Sequence, residues 1–221
     1  LPGVRRAAIG RRAGNGENIV ITMKPEIRDL AWVPRWSIIR SNRTQSVAEH
    51  SYFVTLILID MCEFIGKTMP EMKPTEAEMA VLVRVALLHD VVEVVTGDVT
   101  GPAKRKLVGP AGVDFEKDCE KELLGWSPTQ VREDMELRLS VLLKVADMLE
   151  ACLFLVDEDK SGNRNLGVHL ANARSLLRGI ASGWEMCDTE RTNEMFDYLG
   201  LIGDYVECCL ELNECPSRCL K

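Results

Sequence analysis

Two histidines and three carboxylates stand in stretches too apolar to solvate them. His89, Asp90 and Glu93 interrupt the otherwise apolar run 85–95, Asp147 sits inside the run 139–149, and His50 opens a further apolar segment. An unpaired carboxylate stays in a core only if it is protonated, paired or bound to a cation, because desolvation costs it several kcal/mol or more. One divalent ion held by His50, His89, Asp90 and Asp147 would satisfy all four. Two imidazoles and two carboxylates suit Mn, Fe, Co, Ni or Zn and leave positions for water and substrate. Such an ion brings the pKa of bound water towards neutrality and polarises a phosphoryl oxygen. Glu93, one helical turn beyond His89, then has the place of a proton acceptor or donor. Singly, each residue has a plainer explanation: a histidine on an apolar face is usually a satisfied core residue, and Asp147 has Lys144 three positions earlier to pair with. Together the explanations weaken, since two of the three histidines in the chain keep this company. His169 does not, and reads as an ordinary residue.

The elements that must position these groups read as helices. Ser46-Val47-Ala48-Glu49 and Thr75-Glu76-Ala77-Glu78 have the capping-box pattern, which announces a helix N-terminus. The first helix is expected from Val47 to about Ile65, stopping at Gly66, and the second from Glu76 to about Val95, stopping near Gly97. Ser127-Pro128-Thr129-Gln130 starts another, with proline at its first position and glutamine closing the box. A long apolar helix follows over about 137–156, and further helical patterns cover roughly 112–124, 166–180 and 192–212. No stretch alternates with period two, so the expected fold class is all-α, a single helical bundle.

Composition narrows the function. The 221 residues are 46% hydrophobic but only 5% aromatic, which suits one domain of packed aliphatic helices. A net charge of −7 speaks against a nucleic-acid polymer as partner, since gripping its backbone calls for a basic surface. No apolar run reaches the ~20 residues of a bilayer span, so no membrane partner is expected. The eight cysteines include no CxxC pair, and reduced thiols in a cytoplasmic protein fit them best. The C-terminal group Cys208, Cys209, Cys215 and Cys219 matches no standard zinc knuckle. Residues 1–22, rich in Gly and Arg, read as a flexible extension before a domain over 23–221.

The ordered set His50, His89-Asp90, Asp147 resembles the signature of the HD-domain phosphohydrolases. The fuller strings Arg35-Trp36-Ser37-Ile38-Ile39-Arg40, Ser46-Val47-Ala48-Glu49-His50-Ser51 and His89-Asp90-Val91-Val92-Glu93-Val94-Val95-Thr96-Gly97-Asp98 are similar to the bacterial 5′-deoxynucleotidases of that superfamily, over roughly residues 27–154. The resemblance implies a helical HD domain, one divalent metal on His50, His89, Asp90 and Asp147, and phosphate release from deoxynucleoside monophosphates. It also implies Glu93 as catalytic acid/base and Asp98 as a carboxylate that orients water or substrate. Arg35 corresponds to the phosphate contact, for which a guanidinium suits bidentate capture, and Trp36 to the residue against the sugar, where an indole disfavours a 2′-hydroxyl. Lys104 matches a further phosphate contact. The segment Val99-Thr100-Gly101-Pro102 lacks one proline of the family pattern. Related phage enzymes that clear dATP share the metal set and the Arg-Trp element, so a deoxynucleoside triphosphohydrolase is the nearest alternative and a non-catalytic nucleotide sensor a further one. The family often dimerises, which makes a homodimer or higher even-numbered oligomer an expectation.

Overall fold

The computed structural model describes residues 24–99, 110–182 and 193–214. The N-terminal extension, Lys104, Cys187, Cys215 and Cys219 lie outside the described residues. Among those described, every regular element is helical, as expected, and extended pairing is limited to one isolated bridge between Pro34 and Ser46.

A 3-10 helix, Pro25–Ala31, leads by an irregular segment into α1, Val47–Thr68. Ser46 Oγ caps α1 by accepting the Glu49 N–H at 3.1 Å. Glu49 does not complete the box; its carboxylate pairs with Arg43 at 2.5 Å instead. Buried Val47, His50, Ser51, Val54, Leu58, Met61, Cys62 and Ile65 recur every three or four residues, the spacing that puts them on one stripe. The helix runs through Gly66 rather than stopping there. This glycine serves a close approach, since the aliphatic part of Lys73 lies where its Cβ would be.

Thr75 and Glu78 form the full reciprocal box at the start of α2, Glu76–Leu88. The expected continuation to Val95 does not occur. α2 ends at Leu88, residues 89–92 make a tight turn with Val91 N–H to Leu88 O at 3.0 Å and Glu93 N–H to Asp90 O at 3.0 Å, and a short α3, Glu93–Thr96, follows. Two local features accompany the break. His89 Nδ1–H donates to Ala86 O at 2.8 Å, taking up the carbonyl that a continued helix would offer to the Asp90 N–H. Beyond it stand four valines, whose branched side chains lose rotamer freedom in a helix. Gly97, at φ +70°, closes α3 in a conformation that favours glycine.

The rest follows expectation to within a few residues: α4 is Pro110–Leu124, α5 Pro128–Glu133, α6 Leu137–Lys160, α7 Gly167–Ala181 and α8 Asn193–Glu214. Ser127 caps α5 through the Gln130 N–H at 3.0 Å, but Gln130 does not close the box: its amide reaches Asp134 at 3.1 Å. Buried Glu120 instead accepts from Thr129 Oγ1 at 2.7 Å and from its N–H at 3.1 Å, tying α4 to α5.

Helix α6 is the hub, packed against α1, α2, α7 and α8. It is buried on most sides, as a central helix must be. The main core joins Leu58, Met61 and Ile65 of α1 and Leu82 of α2 to Leu142, Leu149 and Leu155 of α6, Leu177 of α7 and Ile202 of α8; each such side chain contributes about 1.5–3 kcal/mol by leaving water. A smaller cluster of Ile27, Leu30, Val47, Val91, Val92, Leu123 and Leu124 packs the entering segment against the 89–92 turn. No helix among the described residues is long and apolar enough to cross a membrane. Cys62, Cys119, Cys152, Cys208 and Cys209 are free thiols.

Candidate active site

Two helices and one turn bring the expected ligands together. His50 comes from the buried stripe of α1, His89 and Asp90 from the turn after α2, and Asp147 from the middle of α6. One ligand atom each from His50, His89 and Asp90 lies within 4.8 Å of the others. Asp147 Oδ1 stands 3.0 Å from His50 Nε2 and 3.9 Å from His89 Nε2, and Asp90 Oδ2 3.2 Å from His89 Nε2 and 3.8 Å from His50 Nε2. Ligands bound to one ion at about 2.0–2.2 Å lie roughly 3–4 Å apart, which these His–Asp separations match; the compact group itself is His50, His89 and Asp90, and Asp147 stands beside both imidazoles but outside it.

The hydrogen bonds of the two rings test that fit. His89 Nδ1 faces the Ala86 carbonyl and His50 Nδ1 the Glu150 carboxylate; both partners accept, so each Nδ1 carries a proton. Each Nε2 is buried and has no well-formed hydrogen bond. A pair of orphaned imidazole nitrogens turned towards two carboxylates, with the opposite nitrogens held by acceptors, is the arrangement of metal-binding histidines.

Electrostatics agree. Burial alone would push His89 down, but Asp90 and Asp147, helped by the Ala86 carbonyl, outweigh it and hold the imidazole up at about 9. For His50, burial is again opposed, by the adjacent Asp147 carboxylate and the hydrogen bond to Glu150, with a net rise. Burial would raise Asp147; the adjacent His50 and His89 imidazoles bring it down to about 2. Asp147 is not fully enclosed as its apolar sequence neighbours suggest: its side chain is 39% exposed. It lies on the wall of a cleft of about 600 Å³ that His89, Arg132, Met135, Ser140 and Lys144 also line, giving the cluster access to small molecules.

Glu93 is buried at the start of α3, beyond the turn rather than one turn along a continuous helix. Asp98 Oδ2 accepts the Trp36 backbone N–H at 2.8 Å, so this carboxylate holds the Arg35-Trp36 segment. Trp36 sits at φ +63°, a conformation that costs a non-glycine residue about 1–3 kcal/mol, and its ring stacks on Phe154 at 5.4 Å and 8°. Arg35 Nη1 is buried without a hydrogen-bond acceptor, its nearest carboxylate oxygen being Glu150 Oε2 at 3.9 Å. A buried guanidinium nitrogen in that state suits an anion. His169 is exposed on α7.

Two residues escaped the sequence reading. Glu150 is buried against His50, and Gln45 is buried between Glu150 and the Trp36 indole. Glu150 had a signal: a second carboxylate three residues after Asp147 in the same apolar helix. Gln45 had none, being one polar residue in a polar loop.

Comparisons with known proteins give the chain a family and a fold. The family described as 5′-deoxynucleotidase YfbR-like matches residues 24–183. A dATP triphosphohydrolase of Salmonella phage PMBT28 is 32% identical over 160 residues, covering 70% of this chain and 77% of the relative. A 5′-deoxynucleotidase of Photorhabdus laumondii is 30% identical over 164 residues, covering 67% and 79%. Among solved structures, the cyanophage S-2L HD phosphohydrolase bound to dA and one catalytic Zn²⁺ ion superposes with a TM-score of 0.60 at 22% identity, over 86% of this chain and 99% of that one. A conserved hypothetical protein from Pyrococcus furiosus does so at 0.61 and 21% identity, over 85% and 96%.

Proposed function

The chain belongs to the YfbR-like 5′-deoxynucleotidase family, and on that premise we propose that it is a metal-dependent phosphohydrolase that removes the 5′-phosphate of 2′-deoxynucleoside monophosphates. The observation that carries the reading is the pair of buried imidazoles, each with Nδ1 committed to an acceptor and Nε2 turned, without a well-formed hydrogen bond, towards Asp90 and Asp147.

His50, His89, Asp90 and Asp147 would hold the ion, one of Co, Mn, Zn, Fe or Ni. When bound, it supplies Lewis acidity, lowering the pKa of water and offsetting charge on the phosphoryl oxygens. Glu93 accepts the proton of the attacking water and returns it to the departing 5′-oxygen, so that a phosphorus–oxygen bond to water forms as the bond to the sugar oxygen breaks. Arg35 meets the phosphate with its unsatisfied guanidinium nitrogen, and Lys104 adds a second cation. Trp36 stands against the sugar, where its bulk disfavours a 2′-hydroxyl, and Asp98 fixes Trp36 while orienting water or substrate. The same reading has the enzyme act in the cytoplasm as one domain over residues 23–221, in a homodimer or higher even-numbered oligomer, with neither a nucleic-acid polymer nor a membrane as partner.

One observation favours a second reading, a deoxynucleoside triphosphohydrolase with the same site: the phage relative at 32% identity bears that name. Product analysis with dAMP and dATP separates them. Phosphate and deoxyadenosine from dAMP, with dATP spared, supports the nucleotidase. Turnover of dATP with dAMP spared would move the enzyme to the second reading.

A further inference from the structure

Four side chains form one unbroken hydrogen-bonded line from the indole of Trp36 to the imidazole of His50. Trp36 Nε1–H donates to Gln45 Oε1 at 2.9 Å, Gln45 Nε2–H donates to Glu150 Oε1 at 2.6 Å, and Glu150 Oε2 accepts from His50 Nδ1–H. Beyond the half-buried Trp36 the line is dry: Gln45 and His50 are wholly buried and Glu150 is 4% exposed. Its chemistry dictates the residue in the middle. An indole N–H only donates and a carboxylate only accepts, so the group between them must accept at one end and donate at the other, which the glutamine amide does and a glutamate or an aliphatic side chain does not. The same rule fixes which way the Gln45 amide faces.

Both ends of the line are anchored in α6. Asp147, Glu150 and Phe154 fall at i, i+3 and i+7, one face of the helix; they supply a residue of the metal cluster, the carboxylate on His50 and the ring on which Trp36 stacks. Trp36 in turn is held by Asp98 at its backbone N–H in a conformation that tryptophan does not adopt unaided. Nothing in packing alone requires a buried glutamine to join a strained tryptophan to a buried glutamate, and half-satisfied networks of this kind cost more than an apolar core.

We propose that Gln45 and Glu150 are positioning residues that lock the Trp36 indole and the His50 ring into one rigid frame, so that ion binding and the choice of deoxyribose over ribose are coupled. The proposal rests on the reading of His50 as a metal ligand and Trp36 as the wall against the sugar. Glu150 fixes the tautomer and orientation of His50; Gln45 passes that constraint to the indole.

The test is an NMR titration of the ¹⁵N-labelled full chain, stripped of metal, with Zn²⁺ alone. The Trp36 indole resonance is identified by its loss in Trp36→Phe. It should shift in step with Zn²⁺ uptake in the wild type and lose that response in Gln45→Met, which still binds the ion. Glu150→Gln should weaken Zn²⁺ binding by about ten- to a hundredfold, as loss of the partner of a ligating histidine does. In turnover, Gln45→Met should lower the deoxy-over-ribo ratio of kcat/KM by about tenfold, the worth of one buried hydrogen bond. Zn²⁺ uptake with an unmoved Trp36 resonance would overturn the coupling while sparing the metal reading, and so would an undiminished shift in Gln45→Met. Failure to take up Zn²⁺ at all would overturn both. Should Gln45→Met not fold, the wild-type titration decides by itself.

Discussion

Glu93 is the residue on which turnover should depend without the metal depending on it. It is buried at the start of α3, past the turn that carries His89 and Asp90. Glu93→Ala is therefore expected to cut kcat by about 10²–10⁴-fold, the usual contribution of a positioned acid or base, with bound metal per chain unchanged in elemental analysis. Full activity in this variant would remove Glu93 from the mechanism. His50 and His89 yield a pH prediction whose sign follows from their rise. In the metal-free protein, His89 goes from 6.5 up to about 9; the stability it contributes is complete below its ordinary value and is lost as pH climbs through about 9. A metal replaces that proton, so apparent metal affinity should increase over the same window while the stripped protein loses stability. Melting curves with and without Zn²⁺ from pH 6 to 9 check both slopes. These groups were legible in the sequence because charge inside an apolar run demands an explanation. Gln45 was not, because its burial is created by a fold that brings residues 36, 45, 50 and 150 to one place.

Helices α1 and α2 were foreseeable from capping residues and three-to-four-residue periodicity, both of which act over one or two turns, and α6 from its long apolar run. The break after Leu88 was not foreseen. It is accompanied by a side chain taking the carbonyl that the helix needs, and the sequence pattern through Val95 stays apolar across it. A second tether of this kind joins α6 to the segment before α1. Buried Glu158 accepts from the Asn42 N–H at 2.6 Å, the Arg43 N–H at 3.0 Å and Asn163 Nδ2 at 2.9 Å. Burial would raise its carboxyl, but Asn163 and the two backbone N–H groups outweigh it and hold the pKa below 4.5. The stability from this carboxylate is present above that value and is lost as pH falls below it. Glu158→Gln, which keeps the shape and loses the charge, should cost about 1–3 kcal/mol in denaturant unfolding at neutral pH, and the difference from wild type should shrink on acidification. An equal difference at pH 3 and pH 7 would contradict the tether.

At the scale of the whole molecule, the proposed ion would join α1, α6 and the turn after α2, elements distant in sequence. An ion that binds only the folded chain stabilises it by about 2.7 kcal/mol at a hundred times its Kd, which for a chain of this size is a rise in Tm of roughly 5–10 °C. Scanning calorimetry of the stripped protein against added Zn²⁺ should show that rise, and an unchanged Tm would mean that no such ion bridges the helices. The all-α class was legible from composition and period, whereas the cleft beside Asp147 was not, since it arises where α6 and the short α5 meet. The measurement closest to the central claim is phosphate release from dAMP and AMP by the metal-stripped chain, before and after addition of Mn²⁺, Co²⁺ or Zn²⁺. We predict no release without metal and, once an ion is restored, release from dAMP well above that from AMP; equal turnover of the two nucleotides, or release that ignores the metal, would contradict the account.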